Sequence, residues 1–268
     1  MAKKTVPGAV INYEIWHPDG GPASRGADWV TLVNGHTRPL NDFRMLGKKL
    51  TEQGFSVLTL DNRGAGQTAI DRPFTLSDMC DDIRSLWAEH DVRATNLLGI
   101  SMGGFIAEML ALESPEYVSA LILVSTAARH DSINGDDRPW SSDLAETQAK
   151  LATYFTPQFA EKNAVLVRSM AKQITAQVEA GKFTEYSRLQ RQALAGFDVT
   201  DRLFALAAPT LVIHGTEDAI IPLAAGRSLA QEISGARLEI ISGSGHLLLA
   251  EAPARLCQLV VDFFRSNR

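Results

Sequence analysis

The chain has 268 residues, 45% hydrophobic and 21% charged, enough for one large domain or for a domain carrying an insertion. Its formal net charge is −5 at pH 7 with Lys and Arg scattered, which argues against nucleic acid as a partner. No apolar stretch approaches the roughly eighteen residues of a membrane span, and the lysines of MAKKTVPGAVINYEIW precede no signal-like apolar run, so a cytoplasmic protein is expected.

The first element, AVINYEIW (9–16), reads as an antiparallel edge strand. WVTLV (29–33), SVLTL (56–60), TNLLGI (95–100), ALILV (120–124), PTLVIHG (209–215) and RLEII (237–241) follow as strands. Their apolar runs are continuous, as befits strands covered on both faces. Helical patterns lie between them. TLSDMCDDIRSLWAEH (75–90) starts at Thr75 with Asp78 three residues on, close to a capping box. Leu76, Met79, Cys80, Ile83 and Trp87 share one face of that helix. The last helix starts near Pro253 and carries Leu256, Leu259, Val260, Phe263 and Phe264 as its buried stripe. Cys80 and Cys257 read as two separate buried thiols. The alternation implies an α/β fold, a mostly parallel sheet with helices on both faces.

One segment breaks that rhythm. From 129 to 206 no strand is expected. Polar turn residues, HDSINGDDRPWSSD, lead into helices over 143–155, 157–180 and 182–195. This predicts a core of residues 1–128 and 207–268 interrupted by a helical cap at 129–206. Within it, DSINGDD (131–137) lacks the ligand spacing of a calcium loop and reads as a polar loop. Trp140, Phe155, Phe159, Met170 and Phe183 read as cap core.

The chemistry centres on Gly99-Ile100-Ser101-Met102-Gly103, a G-x-S-x-G sequence between an apolar strand and an apolar-patterned helix. The strand must turn into the helix within a few residues, so Gly99 and Gly103 remove Cβ atoms that would collide. Ser101 then stands at the apex, and the Met102 N–H at the helix start points to the same spot. A serine hydroxyl needs a base, and the base needs an orienting acid. Among six histidines, His246 in SGSGHLLLAEAP lies in a glycine-flanked loop after the last strand, at the sheet edge that bears Ser101. His17 and His130 read as loop residues, His90 as a solvated helix end and His214 as structural. Asp218 follows the strand at 209–215 and completes the order Ser, Asp, His, with Glu217 as the fallback acid.

LVNGHT, LDNRGAGQT, GISMGG and GTEDAIIP…GSGH, in this order, resemble the α/β-hydrolase superfamily, in particular its small lidded esterases and lactonases. The resemblance implies an eight-stranded, mostly parallel sheet with a helical cap after the sixth strand. It implies an oxyanion hole of two backbone N–H groups, Met102 and His36, with Asn34 where relatives often have histidine. The His36 imidazole alternatively faces substrate. Asp61 and Arg63 in DNRGAGQT read as structural. The expected activity is cofactor-free and metal-free hydrolysis of a small, largely apolar ester or lactone by a monomer or homodimer. Perhydrolase or haloperoxidase chemistry and carbon–carbon bond hydrolysis share such a site. A low-turnover binding protein is the reading from another class.

Overall fold

In the computed structural model, which describes residues 1–19, 28–135 and 138–268, the strands are β1 (Ala2–Val6), β2 (Ala9–Trp16), β3 (Trp29–Val33), β4 (Ser56–Leu60), β5 (Ala69–Ile70), β6 (Thr95–Ile100), β7 (Val118–Val124), β8 (Thr210–Gly215) and β9 (Arg237–Ile241). The helices are α1 (Arg44–Glu52), α2 (Leu76–Glu89), α3 (Met102–Glu113), α4 (Leu144–Ala152), α5 (Pro157–Lys162), α6 (Ala164–Glu179), α7 (Phe183–Leu194), α8 (Leu223–Glu232), α9 (Leu248–Glu251) and α10 (Pro253–Ser266). Eight strands form one sheet in the order β1-β2-β4-β3-β6-β7-β8-β9, and the two-residue β5 pairs with β2. From β4 to β9 every neighbouring pair is parallel. This is the eight-stranded, mostly parallel sheet that the resemblance implies.

The central strands are apolar on both faces because each face is covered. Leu97, Leu121, Leu123 and Val212 pack with the apolar residues of α2 and α3. Leu98, Ile122, Val124 and Ile213, one residue out of step, pack with α1 and α10. That is the period-two alternation of a strand, read on two buried sides.

Three local expectations differ. β2 is antiparallel but not at the edge, because β1 pairs along its outer side. The AKKTV of β1 carries two lysines and little burial, so it has no apolar run to mark it. The helix expected over 157–180 is broken at Asn163, which ends α5 and begins α6 with φ −115° and ψ 33°. Its side-chain amide and backbone N–H both donate to the Phe159 carbonyl, which closes the first helix. Finally, His90 is half-buried rather than solvated, its Nε2 3.1 Å from Tyr13 Oη.

Elsewhere the local chemistry acts as expected. Thr75 and Asp78 form a complete capping box on α2. Cys80 and Cys257 are buried free thiols. Between β7 and β8 the described residues form helices, with a single antiparallel bridge, Arg129 to Asp198, near the base of the segment. Trp140, Leu151, Phe155, Val167, Ala171, Ile174 and Phe183 make a small apolar core of their own there. Asp136 and Asp137 of the polar loop lie outside the described residues. No helix among the described residues is long and apolar enough to cross a membrane.

Candidate active site

Ser101 sits between β6 and α3 with φ 54° and ψ −120°, a left-handed, strained conformation for a residue with a Cβ. Besides the Gly104 N–H, which donates to its carbonyl at 2.7 Å, two bonds hold it there. Its N–H donates to the Val124 carbonyl at 2.9 Å, and Thr126 Oγ1 donates to its carbonyl at 2.9 Å. The glycines are a steric requirement. A Cβ on Gly99 would lie 2.2 Å from the Gly103 carbonyl oxygen, and one on Gly103 would lie 2.1 Å from the Val33 carbonyl oxygen. Gly104 is equally confined, its would-be Cβ 2.4 Å from Thr126 Oγ1.

His246 Nε2 lies 3.0 Å from Ser101 Oγ. On the other side of the ring, Nδ1 lies 2.9 Å from Asp218 Oδ2 and 3.1 Å from Oδ1. Asp218 Oδ1 also accepts the N–H groups of Ile220 and Ile221, at 3.0 and 2.9 Å. Burial alone would raise the Asp218 carboxyl, but the charge and hydrogen bond of His246, the Ile221 N–H and His214 together hold it below its ordinary value. Glu217, the fallback acid, is exposed. His214 is structural: its ring is fully buried and Nε2 meets the Ile221 carbonyl at 2.8 Å. Hydroxyl, imidazole and carboxylate therefore form one relay across three loops at the carboxyl ends of parallel strands. Such a relay can take the hydroxyl proton as the oxygen attacks a carbonyl.

A family model described as serine aminopeptidase, S33, matches residues 26–253, a span that includes all three side chains. The chain belongs to this family, within the α/β-hydrolase superfamily. A monoacylglycerol lipase of Mycolicibacterium smegmatis is 28% identical over 265 residues, covering 94% of this chain and 91% of the relative. The 3-oxoadipate enol-lactonase 1 of Acinetobacter baylyi is 27% identical, covering 97% and 94%. The crystal structure of an enol-lactonase from Burkholderia xenovorans LB400 superposes with a TM-score of 0.84 at 26% identity, over 98% of this chain and 100% of that one.

The α/β-hydrolase chain brings a second loop, residues 34–39, against the serine. A Cβ on Gly35 would be 3.3 Å from both the Ser101 Cβ and the Ile100 carbonyl oxygen. Asn34 braces this loop: its Oδ1 accepts the Gly35 N–H at 2.8 Å and its Nδ2 donates to the Pro39 carbonyl at 2.8 Å. Asn62 Nδ2, from the tight turn after β4, donates to the Asn34 carbonyl at 2.8 Å. Asp61 accepts Leu40 N–H at 2.7 Å and Gln67 N–H at 2.8 Å, and Arg63 makes a two-pronged contact with Asp82, so both are structural, as expected. The His36 N–H has no acceptor among the described residues. Met102 N–H heads α3 and belongs to the first turn, where no intrahelical acceptor exists.

The His36 ring does not stand free. Nε2–H donates to the Ser187 carbonyl of α7 at 2.9 Å. Burial pushes the imidazole down to about 4, with Arg191 and Lys150 acting in the same direction and the Ser187 carbonyl opposing. Ser101, His246 and the 34–39 loop open into a cavity of about 400 Å³. Trp140, Met170 and Phe183, expected as cap core, line it together with Leu151, Ile174 and Leu248. Phe155 stays in the local core and stacks on Phe159 at 5.2 Å.

Sequence inspection misses the residues that support the site from far away in the chain. The Tyr154 carbonyl accepts the His246 N–H at 3.0 Å. Glu251 accepts the Gly245 N–H at 3.0 Å and the Thr156 hydroxyl at 3.1 Å, tying the histidine loop to the helical segment. No motif announces the contacts of Tyr154 and Thr156 with this loop, because they join segments that only the fold brings together.

Proposed function

We propose that this protein is a serine hydrolase that cleaves a small, largely apolar carboxylic ester or lactone through an acyl-enzyme. The observation that carries the proposal is the hydrogen-bonded relay Ser101–His246–Asp218 at the wall of the cavity. His246 removes the Ser101 proton as the hydroxyl attacks the carbonyl carbon. Asp218 fixes the tautomer with hydrogen on Nδ1 and stabilises the imidazolium. The N–H groups of His36 and Met102 stabilise the oxyanion, each worth about 3 kcal/mol of barrier in comparable sites. His246 then protonates the leaving oxygen and activates water for deacylation. A cavity of about 400 Å³ with Trp140, Leu151, Met170 and Phe183 in its wall supports a compact apolar acyl or lactone group. The monoacylglycerol lipase and the enol-lactonases among the relatives are in keeping with it.

We further propose that residues 129–206 act as a cap over a core formed by 1–128 and 207–268. The separate apolar cluster of this segment and its contribution to the cavity wall support that division. The test of the mechanism is turnover of p-nitrophenyl butyrate with labelling by a fluorophosphonate. Wild-type protein hydrolyses the ester and takes up the label on Ser101, and Ser101→Ala does neither. Near-full turnover in Ser101→Ala removes the mechanism.

A further inference from the structure

We propose that Gln190, on α7, is the positioning residue of the oxyanion loop, a role that rests on the serine-hydrolase mechanism proposed above. Gln190 is fully buried despite its amide. A buried amide needs partners at both ends, and here both ends are used. Its Oε1 accepts the Thr37 N–H at 2.7 Å, across 153 residues of sequence. Its Nε2 donates to the Arg63 carbonyl at 2.7 Å, across 127 residues. One side chain thus staples the helix to both the 34–39 loop and the turn after β4. That turn sits directly under α7: a Cβ on Gly64 would lie 3.2 Å from the Tyr186 carbonyl oxygen.

Thr37 has φ 60°, a left-handed backbone that a β-branched residue adopts only when its surroundings impose it. The peptide joining His36 to Thr37 is gripped at both polar atoms. Its N–H goes to Gln190 and its oxygen accepts the Thr37 hydroxyl at 2.7 Å. The His36 ring is held by Ser187, one turn before Gln190 on the same helix. With ring and following peptide fixed by α7, the orientation of the His36 N–H is fixed as well. That N–H has no acceptor among the described residues, and it belongs to the loop packed against Ser101. The second oxyanion donor is therefore assembled only while α7 is seated, which couples cap position to the chemical step.

Two variants test this role. Gln190→Met keeps the volume and removes both hydrogen bonds. Its kcat for p-nitrophenyl butyrate falls about 10- to 100-fold, while KM stays within about twofold. Hydrogen exchange over residues 34–40 quickens roughly tenfold, and residues 95–110 are unchanged. Gln190→Glu gives a readout that a merely structural role does not move. When protonated, its carbonyl accepts from Thr37 and its O–H donates to Arg63; when ionised, the donor is gone. The ratio of its kcat to that of wild type therefore rises as pH falls, a ratio in which the titration of the common base cancels. Folded Gln190→Met with wild-type kcat, or a Gln190→Glu ratio independent of pH, overturns the proposal. If Gln190→Met fails to fold, the Gln190→Glu ratio decides alone. Full ester turnover in Ser101→Ala defeats the serine mechanism itself and this role with it, and that failure is distinguishable because the exchange pattern over 34–40 is measured independently of turnover.

Discussion

His246 Nδ1 lies within hydrogen-bond distance of both carboxylate oxygens of Asp218, at 2.9 and 3.1 Å, while Oδ1 is also engaged by two backbone N–H groups. Those N–H donors fix what Asp218→Asn does. The asparagine carbonyl takes over Oδ1 and keeps Ile220 and Ile221, so its amide faces His246. Nδ1 then becomes an acceptor, the ring proton moves to Nε2, and Nε2 can no longer accept from Ser101. The expected result is intact folding with kcat reduced by roughly 10⁴-fold. Steady-state ester hydrolysis beside a thermal melt checks it, and a loss of less than tenfold contradicts the assigned role.

The elbow makes a prediction of the opposite kind, in which stability and activity fall together. A Cβ on Gly99 meets the Gly103 carbonyl oxygen at 2.2 Å and the Gly103 carbonyl carbon at 2.6 Å, both backbone atoms that cannot rotate away. Gly99→Ala is expected to lose roughly 3 kcal/mol of stability, or to fail to accumulate in the folded state. Gly243→Ala is a control for a glycine outside the packing, since nothing lies within 4 Å of its would-be Cβ. Its cost is that of the positive φ alone, about 1 kcal/mol. Equal urea midpoints for Gly99→Ala and wild type would show that the elbow relaxes without cost.

How much of this was legible in the sequence follows from the range of each interaction. The elbow lies within five residues, and its glycines and serine are readable because the constraint is local. His246 and Asp218 are readable because each follows a strand whose apolar run is obvious, so topology alone brings them to one edge. β1 is not readable, since an outer strand with two adjacent lysines and little burial carries no apolar pattern. Asn163 escapes because a residue that closes one helix and opens the next leaves the apolar period nearly intact. Gln190 and Glu251 look like ordinary helix-surface residues, and only the packed loops opposite them reveal otherwise.

Arg63 and Asp82 support the site from beneath. Both side chains are 2% exposed, and two bonds of 2.7 Å join them. Burial opposes charge here, yet the contact with Asp82 holds the Arg63 guanidinium protonated. Asp82→Leu leaves Arg63, among the described residues, with only Asp78 at 3.8 Å and the Pro7 carbonyl at 2.9 Å, so it is expected to cost about 3 kcal/mol. Arg63→Met combined with Asp82→Leu recovers much of that loss, because no buried charge remains. Urea denaturation of the three variants measures the coupling. Additive losses in the double variant would show that the pair is not buried in solution.

Glu108 offers the clearest pH test of the fold. It lies on α3, fully buried, and neither carboxylate oxygen has a hydrogen-bond partner among the described residues. Burial raises its pKa well above the ordinary value, so the folded protein holds the proton to higher pH than the unfolded chain does. The sign of the linkage follows. Below the unfolded pKa, near 4.5, both states are protonated and stability is unaffected. As pH rises, the unfolded chain ionises and the folded chain does not, so stability falls by about 1.4 kcal/mol per pH unit until the folded pKa is reached. Glu108→Gln removes this titration. Its stability relative to wild type is expected to be greater at about pH 8 than at about pH 5, with ester turnover unchanged. Urea midpoints at the two pH values measure the effect. Parallel curves for wild type and variant would mean that the carboxyl is solvated or paired in the folded protein.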